Sequence, residues 1–112
     1  MTVYVNNLVI NSGANFTQNF ILENISDGSP VGLSGYTISS KMRKHPGSSS
    51  STTFTTEVVN SSTGEIKISL ASTITSALKP GRYVYDIVTT DLGGFKTRVI
   101  EGMVLVREGV TR

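Results

Sequence analysis

Apolar and polar residues alternate along most of this chain with a period of two, the pattern that predicts β-strands with one buried face. The alternation is clearest where Tyr36, Ile38 and Met42 are separated by polar residues. Clusters of Gly, Pro, Asn, Asp and Ser between such segments mark turns. The seven predicted strands are Tyr4–Ile10 (broken near Asn6-Asn7), Phe16–Asn24, Tyr36–Arg43, Thr53–Val59, Glu65–Leu70, Arg82–Thr90 and Phe95–Val106.

One segment has a helical spacing instead. Ser72 is placed to cap a short helical turn that runs to Leu78, and Ile74, Ala77 and Leu78 are spaced to cover one end of a sandwich. The β-branched residues 73–75 disfavour a longer helix. We therefore expect a single turn of helix before the sixth strand.

The segment Leu78–Asp86 joins a turn to a strand. Pro80 fixes φ and Gly81 tolerates positive φ, so the chain can reverse just before the strand. A Leu five residues before Tyr83, with Pro-Gly between them, resembles the tyrosine corner of immunoglobulin-like and fibronectin-like domains. The resemblance implies that the Tyr83 hydroxyl bonds to main chain upstream. The predicted fold is an all-β, immunoglobulin-like antiparallel β-sandwich that forms one domain over residues 1–112.

Composition narrows the function classes. The 112 residues suit one domain with its own core, and the absence of cysteine excludes disulfides, thiolate metal sites and a cysteine nucleophile. The net charge is only +2, and the charged fraction of 16% is low. The start of the chain lacks a basic region followed by an apolar core, and no apolar run is long enough to span a membrane. We expect a soluble protein without a signal peptide and without a membrane partner.

The residues do not predict an enzyme. His45 is the only histidine and lies in a Pro-Gly-Ser loop without an orienting carboxylate, so a solvated loop histidine is the favoured interpretation. The carboxylates are scattered over strands and turns, and Asp27-Gly28 and residues 91–94 are turns as readily as calcium loops. Gly93-Gly94 lacks the strand-to-helix context of a phosphate loop. We predict no catalytic residue, no cofactor and no metal.

The polar face of the third strand is basic. Lys41, Arg43, Lys44 and His45 form a short cluster that has no interleaved aromatic residues for stacking on bases. A solvated strand face is therefore favoured over contact with nucleic acid or an anionic glycan. Asp86 is expected to pair with Arg98 or Arg82 near the neighbouring strand, a structural role rather than a catalytic one.

The last two predicted strands are apolar on both faces. Tyr83, Tyr85 and Ile87 share one face of the sixth strand, whereas Val84 and Val88 share the other. An apolar outer face usually marks association, so the chain is predicted to form homo-oligomers or to dock through this sheet. The predicted assembly interface consists of Val84, Val88, Val99, Met103 and Leu105.

The order of motifs resembles a known family, the amino-terminal immunoglobulin-like domains of tailed-phage upper baseplate proteins and related small phage virion structural proteins. The residues that carry the resemblance are Leu33-Ser34-Gly35-Tyr36-Thr37, Phe54 with Thr56, Gly64–Leu70, Leu78–Asp86, Gly102 before Val104 and Val106, and Gly109–Arg112. The resemblance implies a non-enzymatic structural component of a tail, baseplate or fibre. It also implies self-association, often as trimers, contacts with other virion proteins, and a location in the virion after synthesis in the host cytoplasm.

Two other function classes stay open. A carbohydrate-binding or adhesive β-sandwich module would need a planar aromatic platform, and the chain has no tryptophan and only four tyrosines, mostly at core-facing positions. A small hydrolase would need a catalytic constellation that the residues do not offer. The virion interpretation is favoured over both.

Overall fold

The computed structural model describes residues 4–22 and 35–108, which contain nine strands and one short helix. These are β1 (Tyr4–Val5), β2 (Leu8–Asn11), β3 (Phe16–Ile21), β4 (Thr37–Arg43), β5 (Thr52–Thr53), β6 (Thr55–Asn60), β7 (Glu65–Leu70), α1 (Ser72–Thr75), β8 (Gly81–Thr90) and β9 (Lys96–Arg107). The interruption predicted at Asn6-Asn7 separates β1 from β2. The end of the second predicted strand, the turn at Asp27-Gly28, and the motif residues Leu33-Ser34 and Gly109–Arg112 lie outside the described residues.

The strands form two sheets. The larger sheet has the order β1-β9-β8-β4-β5, with β2 following β1 along the same edge of β9, and the smaller sheet has the order β3-β7-β6. Pairing is antiparallel except that β1 and β2 run parallel to β9. Three central strands in one sheet facing three in the other, joined by connections that cross between the sheets, form an immunoglobulin-like β-sandwich. The predicted fold class is confirmed.

The core lies between the inner faces of the two sheets. Its buried apolar residues come from alternate positions of nearly every strand, as the alternation in the sequence predicts. They are Leu8, Ile10, Phe20, Leu22, Met42, Phe54, Ile66, Ile68, Leu70, Tyr85, Ile87, Val99, Ile100, Val104 and Val106.

The predicted strand Thr53–Val59 is divided, because the chain passes from the larger sheet to the smaller one at Phe54. The Phe54 N–H still donates to the Ser40 carbonyl on β4 at 3.0 Å, whereas Thr55 already pairs with β7. The Phe54 ring fills the core between Phe16 and Tyr85, at centroid distances of 6.0 and 6.2 Å. The ring is only 2% exposed, so the chain crosses between the sheets with Phe54 in the core.

The helical turn exists, but two details of its prediction are wrong. Ser72 does not cap it, because the N-cap is Ala71 and the Ser72 N–H donates to the Asn15 side-chain oxygen at 2.8 Å. Thr75 is the buried residue of the helix, whereas Ile74 is 41% exposed. The Thr75 hydroxyl accepts from the Gly13 N–H and donates to the Ala14 carbonyl. Hydrogen bonding to the β2–β3 turn thus decides the orientation of this helix.

The tyrosine corner at the start of β8 is confirmed. The Tyr83 hydroxyl donates to the Lys79 carbonyl, four residues upstream, at 2.7 Å. Gly81 has a φ of 141°, a backbone conformation that favours glycine, and this places the strand so that the bond can form. The Lys44 ammonium lies 4.7 Å from the centroid of the same ring. These contacts fix the end of β8 and, with it, the face that β8 presents to solvent.

Candidate assembly surface

The outer face of the larger sheet carries a group of apolar side chains, here called the apolar patch, which consists of Val5, Val9, Val84, Met103 and Leu105. The strand register places Val84 beside Met103 and Leu105 beside Val9. Met103 and Leu105 are 45% and 42% exposed, and Val9 and Val5 are 50% and 75% exposed. The structure therefore brings together three residues of the predicted interface and adds two from β1 and β2.

Val99 does not belong to this face, and its place in the predicted interface is wrong. Ile87 pairs with Ile100 and Val88 pairs with Arg98, so Val99 is the extra residue of a β-bulge. Val99 is fully buried next to Ile100. The bulge reverses the alternation of β9, and it puts Arg98 on the outer face where strict alternation would have put Val99. The only signal in the sequence is the adjacent apolar pair Val99-Ile100, at which the alternation changes phase.

A charged row crosses the outer face next to the apolar patch. Lys41, Asp86 and Glu101 are neighbours across β4, β8 and β9. The Arg98 Nε lies 3.2 Å from Asp86 Oδ2, which confirms Arg98 as one of the two partners expected for Asp86. Both side chains are substantially exposed, so the pair contributes less than about 1 kcal/mol to stability. Val88 lies beyond this row, between Ser39 and Arg98, so the predicted interface is divided by charges.

A groove of about 850 Å³ on this face is lined by residues of the patch, of the charged row and of the region beyond it that contains Val88. Apolar and charged side chains of both signs line it, among them Val5, Lys41, Val84, Asp86, Arg98 and Met103. A concave surface that combines apolar side chains with charges of both signs suits contact with a protein, because the charges can set register while the apolar groups are buried.

The position of Val5 and Val9 depends on the break between β1 and β2. The Tyr85 hydroxyl donates to the Asn6 carbonyl at 2.5 Å, and the Asn7 side-chain oxygen accepts from the Met103 N–H at 3.0 Å. Gly102 lies under this crossing and permits the close approach of Asn6. Burial raises the pKa of the Tyr85 phenol above its ordinary value, so the hydroxyl stays a donor at neutral pH. Val5 and Val9 were absent from the predicted interface because the sequence does not show which strand the amino-terminal segment pairs with.

The other candidate residues are dispersed. Lys41 lies on the outer face, the Arg43 guanidinium donates to the Ser48 carbonyl at 2.8 Å, and Lys44 contacts the Tyr83 ring. His45 is exposed in the loop after β4. Within residues 4–22 and 35–108, no three His, Cys, Asp or Glu side chains are grouped so that they could hold a metal ion. Of the basic cluster predicted from the sequence, Lys41 and Arg43 line the groove on the outer face, whereas Lys44 and His45 do not.

Among the described residues, no helix has the length and apolar character needed to cross a membrane.

Comparisons with known proteins give structural neighbours only. No protein-family model matches the sequence, and no curated protein sequence matches it. An internalin-like protein of Listeria monocytogenes has 13% identity and a TM-score of 0.44, over 96% of this chain but only 28% of its own. Murine CRIg has 13% identity and a TM-score of 0.42, over 92% of both chains. At these values neither similarity says what this chain does.

Proposed function

We propose that this chain is a non-enzymatic structural component of a phage virion, in the tail, the baseplate or a fibre, and that it acts through protein–protein contacts. The observation that carries the proposal is the apolar patch on the outer face of the larger sheet. The resemblance of the motifs to phage baseplate and virion domains supports the same conclusion. The partners we propose are further copies of the chain and other virion proteins.

The apolar patch supports this role because a sandwich that works alone normally presents polar side chains to water. Here three of the patch residues, Val9, Met103 and Leu105, are each between 42% and 50% exposed. Contiguous exposed apolar surface beside polar groups is typical of protein interaction sites. The charges of Lys41, Asp86 and Arg98 at the side of the patch would orient the partner.

The alternative, a carbohydrate-binding or adhesive module, finds less support. Tyr85 is buried and Tyr36 and Tyr83 are partly buried against the core. Phe95, at the β8–β9 turn, is the aromatic side chain that is more than half exposed among those described. One ring does not make the planar platform that stacks on a sugar. Specific binding of the isolated protein on a glycan array would favour this alternative.

Light scattering of the purified protein tests the proposed contact surface. We expect the wild type to be larger than a monomer, and we expect Met103→Glu or Leu105→Glu to lower its mass, because each buries a charge in the interface. Val59→Glu is the matched control, since Val59 is 43% exposed on the smaller sheet and should leave the mass unchanged. A monomeric wild type whose mass and solubility neither substitution alters would refute this surface.

A further inference from the structure

The four edges of the sandwich differ in how they are protected against pairing with another strand. Edge strands are normally blunted by shortness, charge, proline or a bulge. At one edge β5 is two residues long, at another β1 and β2 are interrupted, and at a third β6 carries Glu57 and a bulge near Asn60. The edge strand β3 has six residues, Phe16–Ile21, without charge, proline, glycine or bulge, and within the described residues it pairs only with β7.

Hydrogen bonding to β7 defines which main-chain groups of β3 point outward. The Leu22 N–H donates to the Gly64 carbonyl at 2.9 Å, so Leu22 and every second residue before it bond to the β7 side. The N–H and C=O groups of Thr17, Asn19 and Ile21 therefore point away from β7. The Gln18 side chain donates to the Asn19 carbonyl at 3.1 Å, which agrees with an accessible, outward carbonyl.

Among the described residues, both polar and apolar groups line the surface beside this edge. A groove of about 370 Å³ lies between β3 and β1 and is lined by residues that include Val5, Phe20, Ile21 and Ile100. Ile21 is 61% exposed and Val5 is 75% exposed. A strand added to β3 would cover apolar surface as well as satisfying main-chain groups.

We propose that β3 pairs with β3 of a second copy of this chain, antiparallel and about a two-fold axis at Asn19. In this register Thr17 faces Ile21 of the second copy, and Asn19 faces its own equivalent. All three positions have outward main-chain groups, so the pairing forms about six hydrogen bonds, two for each residue pair. No charged residue faces another, because β3 has none. The smaller sheets of the two copies then form one continuous sheet, an isologous contact that closes on itself.

This pairing uses a strand of the smaller sheet, whereas the apolar patch lies on the larger sheet; Val5 is the one patch residue that also lines the groove beside β3. The pairing does not depend on the proposed virion role. If both surfaces are used, the chain associates in two directions. The proposal for β3 can therefore fail while that for the apolar patch holds, and the reverse is also possible.

Site-specific cross-linking tests the pairing, because the chain has no cysteine of its own. In the proposed dimer the two Asn19 Cα atoms are about 5.5 Å apart. The two Thr55 Cα atoms, on the far edge of the smaller sheet, are separated by five strand spacings across the sheet and by four residues along it, about 28 Å in total. With a short bismaleimide we expect Asn19→Cys to form covalent dimers at least tenfold faster than Thr55→Cys. Equal rates would overturn the proposal.

A second measurement uses the alternation of main-chain groups. Asn19→Pro removes an outward N–H and leaves the bonds to β7 in place, so we expect it to fold and to lose the β3 dimer. In the wild type the Asn19 and Ile21 amides should gain protection from hydrogen exchange as protein concentration rises, and Leu105→Glu should not change this. Protection independent of concentration would contradict pairing between copies.

Discussion

Substitution of Gly102 by Ala tests the crossing that holds β1 and β2 against the larger sheet. A Cβ atom at position 102 would overlap the Asn6 carbonyl oxygen, and it would lie 2.8 Å from the Asn6 carbonyl carbon and 3.1 Å from Asn7 Oδ1. Two of these contacts are with main chain, which cannot rotate away as a side chain can. The segment that contains Asn6 must therefore move out.

The cost can be worked from the bonds that this movement breaks. They are Tyr85 hydroxyl to Asn6 carbonyl, Met103 N–H to Asn7 Oδ1, and Asn6 N–H to Glu101 carbonyl at 2.9 Å. At about 1 kcal/mol each they sum to about 3 kcal/mol. Alanine restricts the unfolded chain more than glycine does, which returns about 0.5 kcal/mol. We expect a net loss of about 2.5 kcal/mol in the free energy of unfolding.

Urea and thermal unfolding followed by circular dichroism measure this loss. For a domain of this size, about 2.5 kcal/mol corresponds to a fall in Tm of roughly 10 to 20 °C. Gly47→Ala is the control, because its new Cβ would meet nothing closer than 3.6 Å. In a Tyr85→Phe background, Gly102→Ala should cost about 1 kcal/mol less, since one of the three bonds is already absent. A loss below about 0.5 kcal/mol in the wild-type background would refute the close approach of Asn6.

Three further predictions test other parts of the structure. Thr75→Val keeps the shape of the buried side chain but leaves the Gly13 N–H without its hydrogen-bond partner. We expect urea unfolding to show a loss of about 1–3 kcal/mol in the free energy of unfolding, and a smaller loss for Thr75→Ser. Val99→Ala should lower the free energy of unfolding by about 2 kcal/mol because Val99 is buried, and Val88→Ala, on the outer face, by less than about 1 kcal/mol. Equal losses would contradict the bulge. Burial raises the pKa of the Tyr85 phenol, so the contribution of Tyr85 to the free energy of unfolding is complete below about pH 10 and falls as the pH rises further. Urea titrations at several pH values should therefore show that the free energy of unfolding falls less steeply at alkaline pH in Tyr85→Phe than in the wild type.

The sequence predicts much of the fold because the alternation of apolar residues is a local property. The tyrosine corner could be found since Pro80, Gly81 and Tyr83 are neighbours in the sequence, and the outcome is the bond from Tyr83 to Lys79. Arg98 could be named only as one of two partners for Asp86, because its outward position depends on the bulge in β9. The residues that decide the tyrosine corner, in contrast, all lie within one short segment.

The features that the sequence did not reveal depend on contacts between distant segments. Val99 is buried because β9 bulges against β8, and Thr75 is buried because Gly13 and Ala14 need hydrogen-bond partners. Val5 and Val9 join the apolar patch only because β1 and β2 run parallel to β9. Alternation within a segment says which residues share a face, but it does not say which segments become neighbours.

The apolar patch could therefore be predicted in part. Val84, Met103 and Leu105 follow from the doubly apolar character of β8 and β9. The charged row that separates Val88 from them requires the register of three strands, and the bulge that places Arg98 on the outer face requires the packing of the core.

We propose that this chain is part of a phage virion, and cryo-microscopy of the proposed particle tests this central proposal most directly. The account predicts the domain in a symmetric array, with Met103 and Leu105 of each copy covered by another copy or by a neighbouring virion protein. A particle in which the domain is absent, or in which the outer face of the larger sheet is open to solvent in every copy, would contradict it.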